Sequence, residues 1–266
     1  MRGASYGLRQ SLDTVGAFTG PLLAIALMAL TANNFQVVFW IAVIPAFISF
    51  ALIVFAVKES EPSKALDDRS KLKLSDMRRL TPAYWAVVTV AAVLTLARFS
   101  EAFLVLRAQN VGIPIALVPA VLVVMNIAYA LSAYPAGIVS DRFGRNSLMS
   151  IGVTLLIAAD LVLAFGATTI WLMVGTVLWG LHMGLTQGLL ATLVADTAPE
   201  DMRGTAFGFF NLISGVAMLI ASVVAGALWD IYGPKMTFLA GAAFTSLALA
   251  GLFIVRSRTV KLDQGS

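Results

Sequence analysis

The stretch GIVSDRFGRN, residues 137–146, sets charged side chains between two long apolar runs. Its charges are Asp141, Arg142 and Arg145, and glycines stand before and within the group. Glycine permits tight turns and close backbone approach because it has no Cβ. The apolar runs on either side approach the roughly 20 residues that a helix needs to cross the hydrocarbon core of a membrane. The stretch therefore predicts a short charged turn joining two antiparallel membrane-spanning helices.

The whole chain has the composition of a membrane protein. Of its 266 residues, 59% are hydrophobic and 12% are charged, whereas soluble domains are typically about 45–50% apolar. An unusually apolar soluble helical protein would have too few charges to cover its surface. Hydrocarbon cannot satisfy exposed backbone groups, so apolar runs cross it as helices. We predict an all-α integral membrane protein of about eight transmembrane helices. The expected spans are Leu8–Leu30, Val37–Val57, Pro82–Leu106, Ile113–Ile138, Leu148–Phe165, Ile170–Val194, Ala206–Trp229 and Met236–Val255.

The lysines and arginines indicate how the chain is oriented. When the connections are numbered alternately, the two sides of the membrane collect very different numbers of basic residues, and the basic side is normally cytoplasmic. The poor side has only Arg107 and Lys235. The rich side has Arg2, Lys58, Lys64, Arg69, Lys71, Lys73, Arg78, Arg79, Arg142, Arg145, Arg203, Arg256, Arg258 and Lys261. We predict a multi-pass protein of the cell inner (plasma) membrane with both termini in the cytoplasm. This bias accounts for the net charge of +4, so we expect no nucleic-acid partner.

One connection is long, and it divides the chain. Residues 58–80 are highly charged and separate two predicted spans from six. Within this connection, the stretch Lys71–Leu80 fits a short helix on the membrane surface, and a solvated linker fits equally well. Residues 2–8, RGASYGL, resemble residues 203–209, RGTAFGF, and each stretch opens a span. The first two spans therefore look like a copy of the last two.

These features together resemble the major facilitator superfamily of transporters. Residues 137–149, GIVSDRFGRNSLM, are similar to its signature loop, Gly-x-x-x-Asp-Arg/Lys-x-Gly-Arg-Arg/Lys, with Asn146 at the last basic position. Residues 199–208, PEDMRGTAFG, resemble the family's entry into its eleventh span. The resemblance covers essentially the whole chain, which reads as spans 5 to 12 of 12. It implies the last two spans of an N-terminal bundle at 1–57, a cytoplasmic linker at 58–80, a complete six-helix bundle at 81–257 and a cytoplasmic tail at 258–266.

The first span carries a finer resemblance, to the antiporter motif of the family's drug/proton exchangers. Ala24 and Ile25 stand where that motif has two glycines. Small residues let membrane helices pack closely, so we expect the first span to pack with its glycines against the fourth. The positions that match are Gly7, Gly16, Gly20 and Pro21.

The signature loop also has an expected role. The resemblance implies that this loop acts as a latch, which holds the transporter in one conformation and releases it in the other. By the same resemblance, Asp141 is expected to dock near the start of the first span. A charged turn with no gating role is the alternative. The expected gating residues are Gly137, Asp141, Arg142, Gly144, Arg145 and Arg203.

Ionisable residues inside spans are costly and mark functional sites by default. Arg9 and Asp13 stand four residues apart in the first span and can pair on one helix face. Asp13 is either a proton site or half of a structural ion pair. Arg98 and Glu101 stand three apart in the third span. They either bind a charged substrate or gate the outer side of the protein, or they form an ion pair at a helix interface. Asp160, a lone acid in the fifth span, is a further proton candidate.

Other polar residues inside spans are candidates for the lining of a central cavity, and each is also compatible with a hydrogen bond between helices. They are Asn126, Tyr129, Tyr134, Trp179, His182, Gln187 and Asn211. With one histidine and no cysteine, the chain suggests no metal centre, and it has neither a phosphate-binding GxxxxGK[ST] loop nor a hydrolytic triad.

We therefore expect a secondary transporter rather than an enzyme. It would move a small organic solute by alternating access about a site near the membrane midplane, in exchange for protons, with no cofactor. Proton-coupled uptake is the alternative direction. The other alternative is a non-transporting membrane fragment that needs a missing N-terminal part, or a second copy of itself, to complete its cavity.

Overall fold

The computed structural model describes residues 2–56, 79–143 and 145–263. These ranges are almost entirely helical and contain no β-strand. In chain order the helices are α1 (Arg2–Leu30), α2 (Phe35–Ala56), α3 (Pro82–Ala97), α4 (Ala102–Asn110), α5 (Ala120–Phe143), α6 (Arg145–Phe165), α7 (Thr169–Thr197), α8 (Arg203–Tyr232) and α9 (Pro234–Asp263), with 3₁₀ turns at Ile115–Leu117 and Glu200–Met202. The predicted linker lies mostly outside the described residues.

Length and composition confirm an all-helical, multi-pass membrane architecture. In the part of the chain that the structure describes, six helical segments are long and apolar enough to cross a membrane. The described apolar part of α1, Gly16–Leu30, is shorter. The qualifying segments are Phe35–Phe55, Pro82–Asn110, Ile115–Ala133, Ser147–Phe165, Thr169–Thr197 and Glu200–Tyr232.

The third span differs from the prediction of one continuous helix from Pro82 to Leu106. It is broken: α3 ends at Ala97, and α4 starts at Ala102. Arg98 and Glu101 therefore do not stand three apart on one helix face. They flank the break.

The charged turn between α5 and α6 is much shorter than predicted. The two helices run through most of the signature stretch, to Phe143 and from Arg145 respectively. Gly144 lies outside the described residues.

The core lies among α4, α5, α6, α7 and α9. Its centre is aromatic: the ring centroids of Phe99, Trp179 and Phe238 lie 5.5 Å apart in the Phe99–Trp179 and Phe99–Phe238 pairs. Two glycines of α7 bring that helix against α5, since a Cβ at Gly180 would overlap the backbone of Met125, and one at Gly184 would overlap Ser132. Close backbone approach through small residues is how membrane helices gain packing energy.

Helix α1 lies against α5, but not through the predicted glycines. Gly16 and Gly20 are exposed, and a Cβ at either would meet no atom within 4 Å. The contact lies further round the helix: the Asn126 side-chain nitrogen of α5 donates to the Ala17 carbonyl at 3.2 Å, and Met28 is 2% exposed.

The two ends of the bundle are tied by different interactions. At one end, Arg107 Nη2 donates to the Gly166 carbonyl at 2.9 Å, and Lys235 Nζ lies 4.8 Å from the centre of the Phe165 ring. Arg107 and Lys235 are the two basic residues that the sequence assigns to the poorly charged side, and the structure brings both to the end of α6.

The opposite end holds the connection between α7 and α8 against the start of α3. Arg79 Nη2 lies 3.0 Å from Asp201 Oδ2 on the surface. Beneath this pair, the buried Tyr84 hydroxyl donates to the Ala206 carbonyl at 2.8 Å. Tyr84 thus fixes the position of α3 relative to α8 from the N-terminal turn of α3 onward.

Candidate substrate site in the third span

The break between α3 and α4 has a defined backbone geometry. Arg98 adopts an extended conformation (φ −110°, ψ 101°), and its amide donates to the Leu94 and Thr95 carbonyls at 3.1 and 3.2 Å. The Ser100 hydroxyl accepts from the Ala102 amide at 3.2 Å and so satisfies a donor at the start of α4. Non-helical backbone at membrane depth is tolerated where it is buried in protein or lines a water-filled cavity. In transporters such discontinuous helices form substrate and ion sites.

Two opposite charges flank this break. Arg98 and Glu101 are each partly buried and lie within Coulombic range of each other and of the Tyr129 hydroxyl on α5. Among the described residues, no ion pair of 4.0 Å or less joins Arg98 to Glu101. The break thus presents a cation and an anion that are near each other but not in direct contact.

Phe99 anchors the break from its other side. Its ring is 4% exposed and packs on Phe103, with ring centroids 5.0 Å apart, in addition to Trp179 and Phe238. An aromatic side chain buried in this way gains considerably from the apolar area that it removes from solvent. The residue between the two charges is therefore fixed in the core.

The cavity candidates fall into two groups. Tyr129 lies near the break and is partly buried against the core. Asn126, one turn away, holds α5 to α1 through the Ala17 carbonyl, which is a contact between helices. Gln187 is partly buried on α7, and Asn211 is exposed on α8.

Trp179 and His182 lie inside the protein rather than on an open wall. Trp179 is fully buried in the aromatic core. His182 is 4% exposed, and its Nδ1 lies 2.8 Å from the Gly152 carbonyl of α6. Since a carbonyl only accepts, Nδ1 carries the proton and donates. His182 thus joins α7 to α6 and lies within Coulombic range of Arg98.

Asp160 is at the centre of the bundle. It is 0% exposed, and neither carboxylate oxygen has a hydrogen-bond partner in the described part of the chain. The structure places it near Phe99, since Asp160 Oδ2 and Phe99 Cε1 both lie close to the Cβ position of Gly241 on α9.

Several predicted residues lie in helices whose side chains the structure does not describe. Arg9, Asp13 and Gly7 belong to the first half of α1, and Gly137, Asp141, Arg142 and Arg145 belong to the adjoining ends of α5 and α6. The docking of Asp141 near the first span stays a prediction. Arg203, the first residue of α8, is exposed and lies 3.7 Å from Glu200. Pro21 lies inside α1 and is partly buried.

Comparison with known proteins identifies the family. The sequence profile of the Major Facilitator Superfamily matches residues 101–266. The chain belongs to the major facilitator superfamily. Membership places it in a family of transporters rather than enzymes, whose members lie in a lipid bilayer and carry small molecules.

Individual relatives of this major facilitator chain agree with the assignment. The uncharacterised MFS-type transporter MJ1317 of Methanocaldococcus jannaschii is 30% identical over 263 residues, which cover 95% of this chain and 63% of the relative. The uncharacterised protein Rv2265 of Mycobacterium tuberculosis is 24% identical, covering 96% of this chain and 63% of the relative. A D-xylose transporter of Levilactobacillus brevis is 30% identical over 137 residues, which cover 51% of this chain and 30% of the relative. The chain thus spans about two thirds of the length of the first two, at 63%.

Sequence reasoning missed two features of this site. The break itself was not predicted, because ARFSE, residues 97–101, contains neither proline nor glycine. The role of Phe99 was not predicted either, since one phenylalanine in an apolar run has no distinguishing signal. The charged pair that brackets Phe99 and Ser100 was the available clue, since charges and a hydroxyl in mid-span indicate where helical bonding gives way.

Proposed function

We propose that the chain acts in secondary active transport and moves a small organic solute by alternating access. The observation that carries this proposal is the break in the third span, where Arg98 and Glu101 lie within Coulombic range of each other without a direct ion pair among the described residues. In a transporter family, a discontinuous helix with charged side chains is where a substrate is expected to bind. No hydrolytic motif offers another energy source, so a proton gradient is the proposed driving force.

The proposed substrate carries both an ammonium and a carboxylate group. Such a zwitterion offers a carboxylate to Arg98 and an ammonium to Glu101, and charge-assisted hydrogen bonds of this kind are about twice as strong as neutral ones. A neutral sugar would leave both charges without counter-charges. The L. brevis relative is named for D-xylose. A Bos taurus relative, the lysosomal dipeptide transporter MFSD1, is 28% identical over 137 residues, covering 49% of this chain and 29% of the relative. The charges at the break favour the peptide-like class.

The proposed topology follows the predicted one. The chain provides spans 5 to 12 of a 12-span arrangement, with a six-helix bundle at 81–257 and the side of Arg79 and Asp201 in the cytoplasm of a plasma membrane. The glycine spacing of α1 favours export in exchange for protons, and uptake is the alternative direction. A second candidate is a chain that does not transport alone. The length of the relatives favours it, because this chain covers 63% of them.

Transport by counterflow tests this function. Proteoliposomes that contain the chain are loaded with an unlabelled dipeptide, and entry of labelled dipeptide is followed with and without a pH gradient. Hydrogen bonds to charged groups contribute about 1.5–3 kcal/mol, so Arg98→Gln and Glu101→Gln should each lower the initial rate about 10- to 100-fold. Asp230→Asn, which changes an exposed carboxylate on α8, is the matched control and should retain the rate.

Three outcomes decide among the candidates. Exchange of xylose but not of dipeptide would refute the zwitterion. Equal rates for the Arg98, Glu101 and Asp230 variants would refute the site. No exchange by the chain alone, with exchange restored on reconstitution with the part of the M. jannaschii relative that this chain does not cover, would establish the second candidate.

A further inference from the structure

The most unusual side chain in the structure is the buried carboxyl of Asp160. It is 0% exposed in the C-terminal half of α6, and both of its oxygens lack a hydrogen-bond partner within the described ranges. The great majority of buried polar atoms in proteins are hydrogen-bonded, and exceptions mark strain, chemistry or a bound species. We therefore look for a species that the Asp160 carboxyl can bind by itself, without a second protein side chain.

The structure reserves space for this carboxyl on α9. A Cβ added to Gly241 would lie 2.7 Å from Asp160 Oδ2 and 2.8 Å from Phe99 Cε1. Cβ atoms do not come this close to other heavy atoms, so only glycine fits without a shift. The carboxyl, the ring of Phe99 and the backbone of α9 thus meet at one point.

Helix α7 places two further unpartnered polar atoms at the same depth. Gly175 of α7 lies opposite Leu163 of α6, and Gly152 of α6 lies opposite Thr186 of α7. This antiparallel register brings Asp160 level with the turn that contains Thr176 and Trp179. The Thr176 hydroxyl oxygen and the Trp179 indole nitrogen are buried and lack partners among the described residues. Three buried polar side chains thus stand at one level of α6 and α7, and their unpartnered atoms have no hydrogen bond among the described residues.

The elements around Asp160 carry other charged or titratable side chains. On the break these are Arg98 and Glu101, which stand on either side of Phe99 and Ser100 in the sequence. On α7, His182 bonds to Gly152, two turns along α6 from Asp160. On α9, Lys235 lies at the end of α6, over Phe165. No ion pair of 4.0 Å or less involves Asp160 among the described residues.

These surroundings exclude an ionised resting state and a metal. A buried carboxylate without a partner carries a large desolvation cost, and such groups neutralise instead. A metal cation would need several oxygen ligands, and no group of three His, Cys, Asp or Glu residues occurs within the described residues. The ligand that fits a lone buried carboxyl is a proton.

We propose that Asp160 is a proton-binding site that loads and unloads beside the Phe99 ring, which belongs to the break. Phe99 and Gly241 also line an apolar groove, in which Thr237 supplies the one polar side chain. Asp160 itself is 0% exposed, so its proton leaves when Phe99 moves and the break admits water, which accepts the proton and leaves a carboxylate. Rearrangement of the break and release of the proton are thereby linked.

This inference rests on the proposed transport for its role in coupling, but its first test needs no transport. Infrared spectra of the reconstituted chain are recorded between about pH 5 and about pH 9. A protonated carboxyl has a carbonyl stretch that ionisation abolishes. We expect one such band that Asp160→Asn removes, that Asp230→Asn leaves in place, and that disappears reversibly as the pH rises. Asparagine has the shape of the neutral acid, so this variant should fold.

Two results would overturn the proton site. One is the absence of any band that depends on Asp160. The other is a band that persists unchanged over the whole pH range, which would make Asp160 a permanently neutral structural residue. The coupling role is tested separately: Asp160→Asn should abolish dipeptide accumulation driven by a pH gradient and retain counterflow. Loss of both would refute coupling. A wild-type chain without counterflow, but with the titrating band, would refute the proposed function and leave the proton site standing.

Discussion

Replacing Gly241 by alanine tests the packing that surrounds Asp160. The new Cβ would lie 2.7 Å from Asp160 Oδ2, 2.8 Å from Phe99 Cε1 and 3.2 Å from Asp160 Cγ. Both neighbours are buried side chains, since Asp160 is 0% exposed and Phe99 is 4% exposed, so the new Cβ would crowd them. Overpacking of this kind typically costs about 1–3 kcal/mol.

The higher helix propensity of alanine opposes this loss of stability, so it has to be subtracted before the cost of the clash can be measured. Alanine is about 0.8–1 kcal/mol better than glycine inside a helix, so Gly241→Ala alone understates the clash. Gly215→Ala on α8 is the matched control, because a Cβ there meets nothing within 4 Å. We expect the free energy of unfolding in detergent to be about 1–3 kcal/mol lower for the Gly241 variant than for the Gly215 variant.

A double mutant identifies the partner. When Asp160→Ala is combined with Gly241→Ala, the new methyl group gains the volume that the carboxyl vacates, and contacting residues commonly show interaction energies of about 0.5–3 kcal/mol. We expect the double variant to be more stable than the sum of the two single changes. Equal stability of the Gly241 and Gly215 variants, or strict additivity with Asp160→Ala, would refute the packing described for α6, α9 and the break.

Three further predictions concern the ends of the bundle, each measured as the free energy of unfolding in detergent. Arg107→Ala should cost about 1.5–3 kcal/mol, because it removes a largely buried charged donor from the Gly166 carbonyl; an unchanged stability would refute this tie. Arg79→Ala should cost at most about 1 kcal/mol, because its pair with Asp201 is exposed on both sides; a larger loss would mean that the pair does more than surface contacts do. Tyr84→Phe should cost about 1 kcal/mol by removing a buried hydrogen bond to α8, and stability equal to wild type would contradict it.

The sequence predicts the helices well because each depends on one strong physical requirement. An apolar run of sufficient length has no alternative to helix in hydrocarbon, so the predicted spans and the observed helices agree to within a few residues at most ends. The basic residues are equally informative. Arg107 and Lys235 were assigned to one side by alternation alone, and the structure brings both to the same end of α6.

The details of the candidate site depend on packing, which a single sequence does not contain. The break at residues 98–101 has no helix-breaking residue, so burial of Phe99 and the cap from Ser100 outweigh local propensity there. The contact face of α1 illustrates the same limit. Gly16 and Gly20 have the composition of a packing stripe, yet the structure uses the adjoining face, because Asn126 reaches the Ala17 carbonyl.

Three ionisable residues of the bundle show why the position of a charge matters more than its presence. Arg107 is as deeply buried as a core residue, but it lies at the end of α4, where a helix-terminal carbonyl accepts its hydrogen bond. Arg98 lies in mid-span, within Coulombic range of Glu101. Asp160 is 0% exposed, and no ion pair of 4.0 Å or less involves it among the described residues. Arg107 therefore has a lasting hydrogen-bond partner, Arg98 has an opposite charge nearby, and Asp160 has neither among the described residues. A charge with a permanent partner can be structural, whereas one without a partner has to be neutralised by something that comes and goes. By this reasoning the substrate belongs at Arg98 and Glu101, and the proton belongs at Asp160.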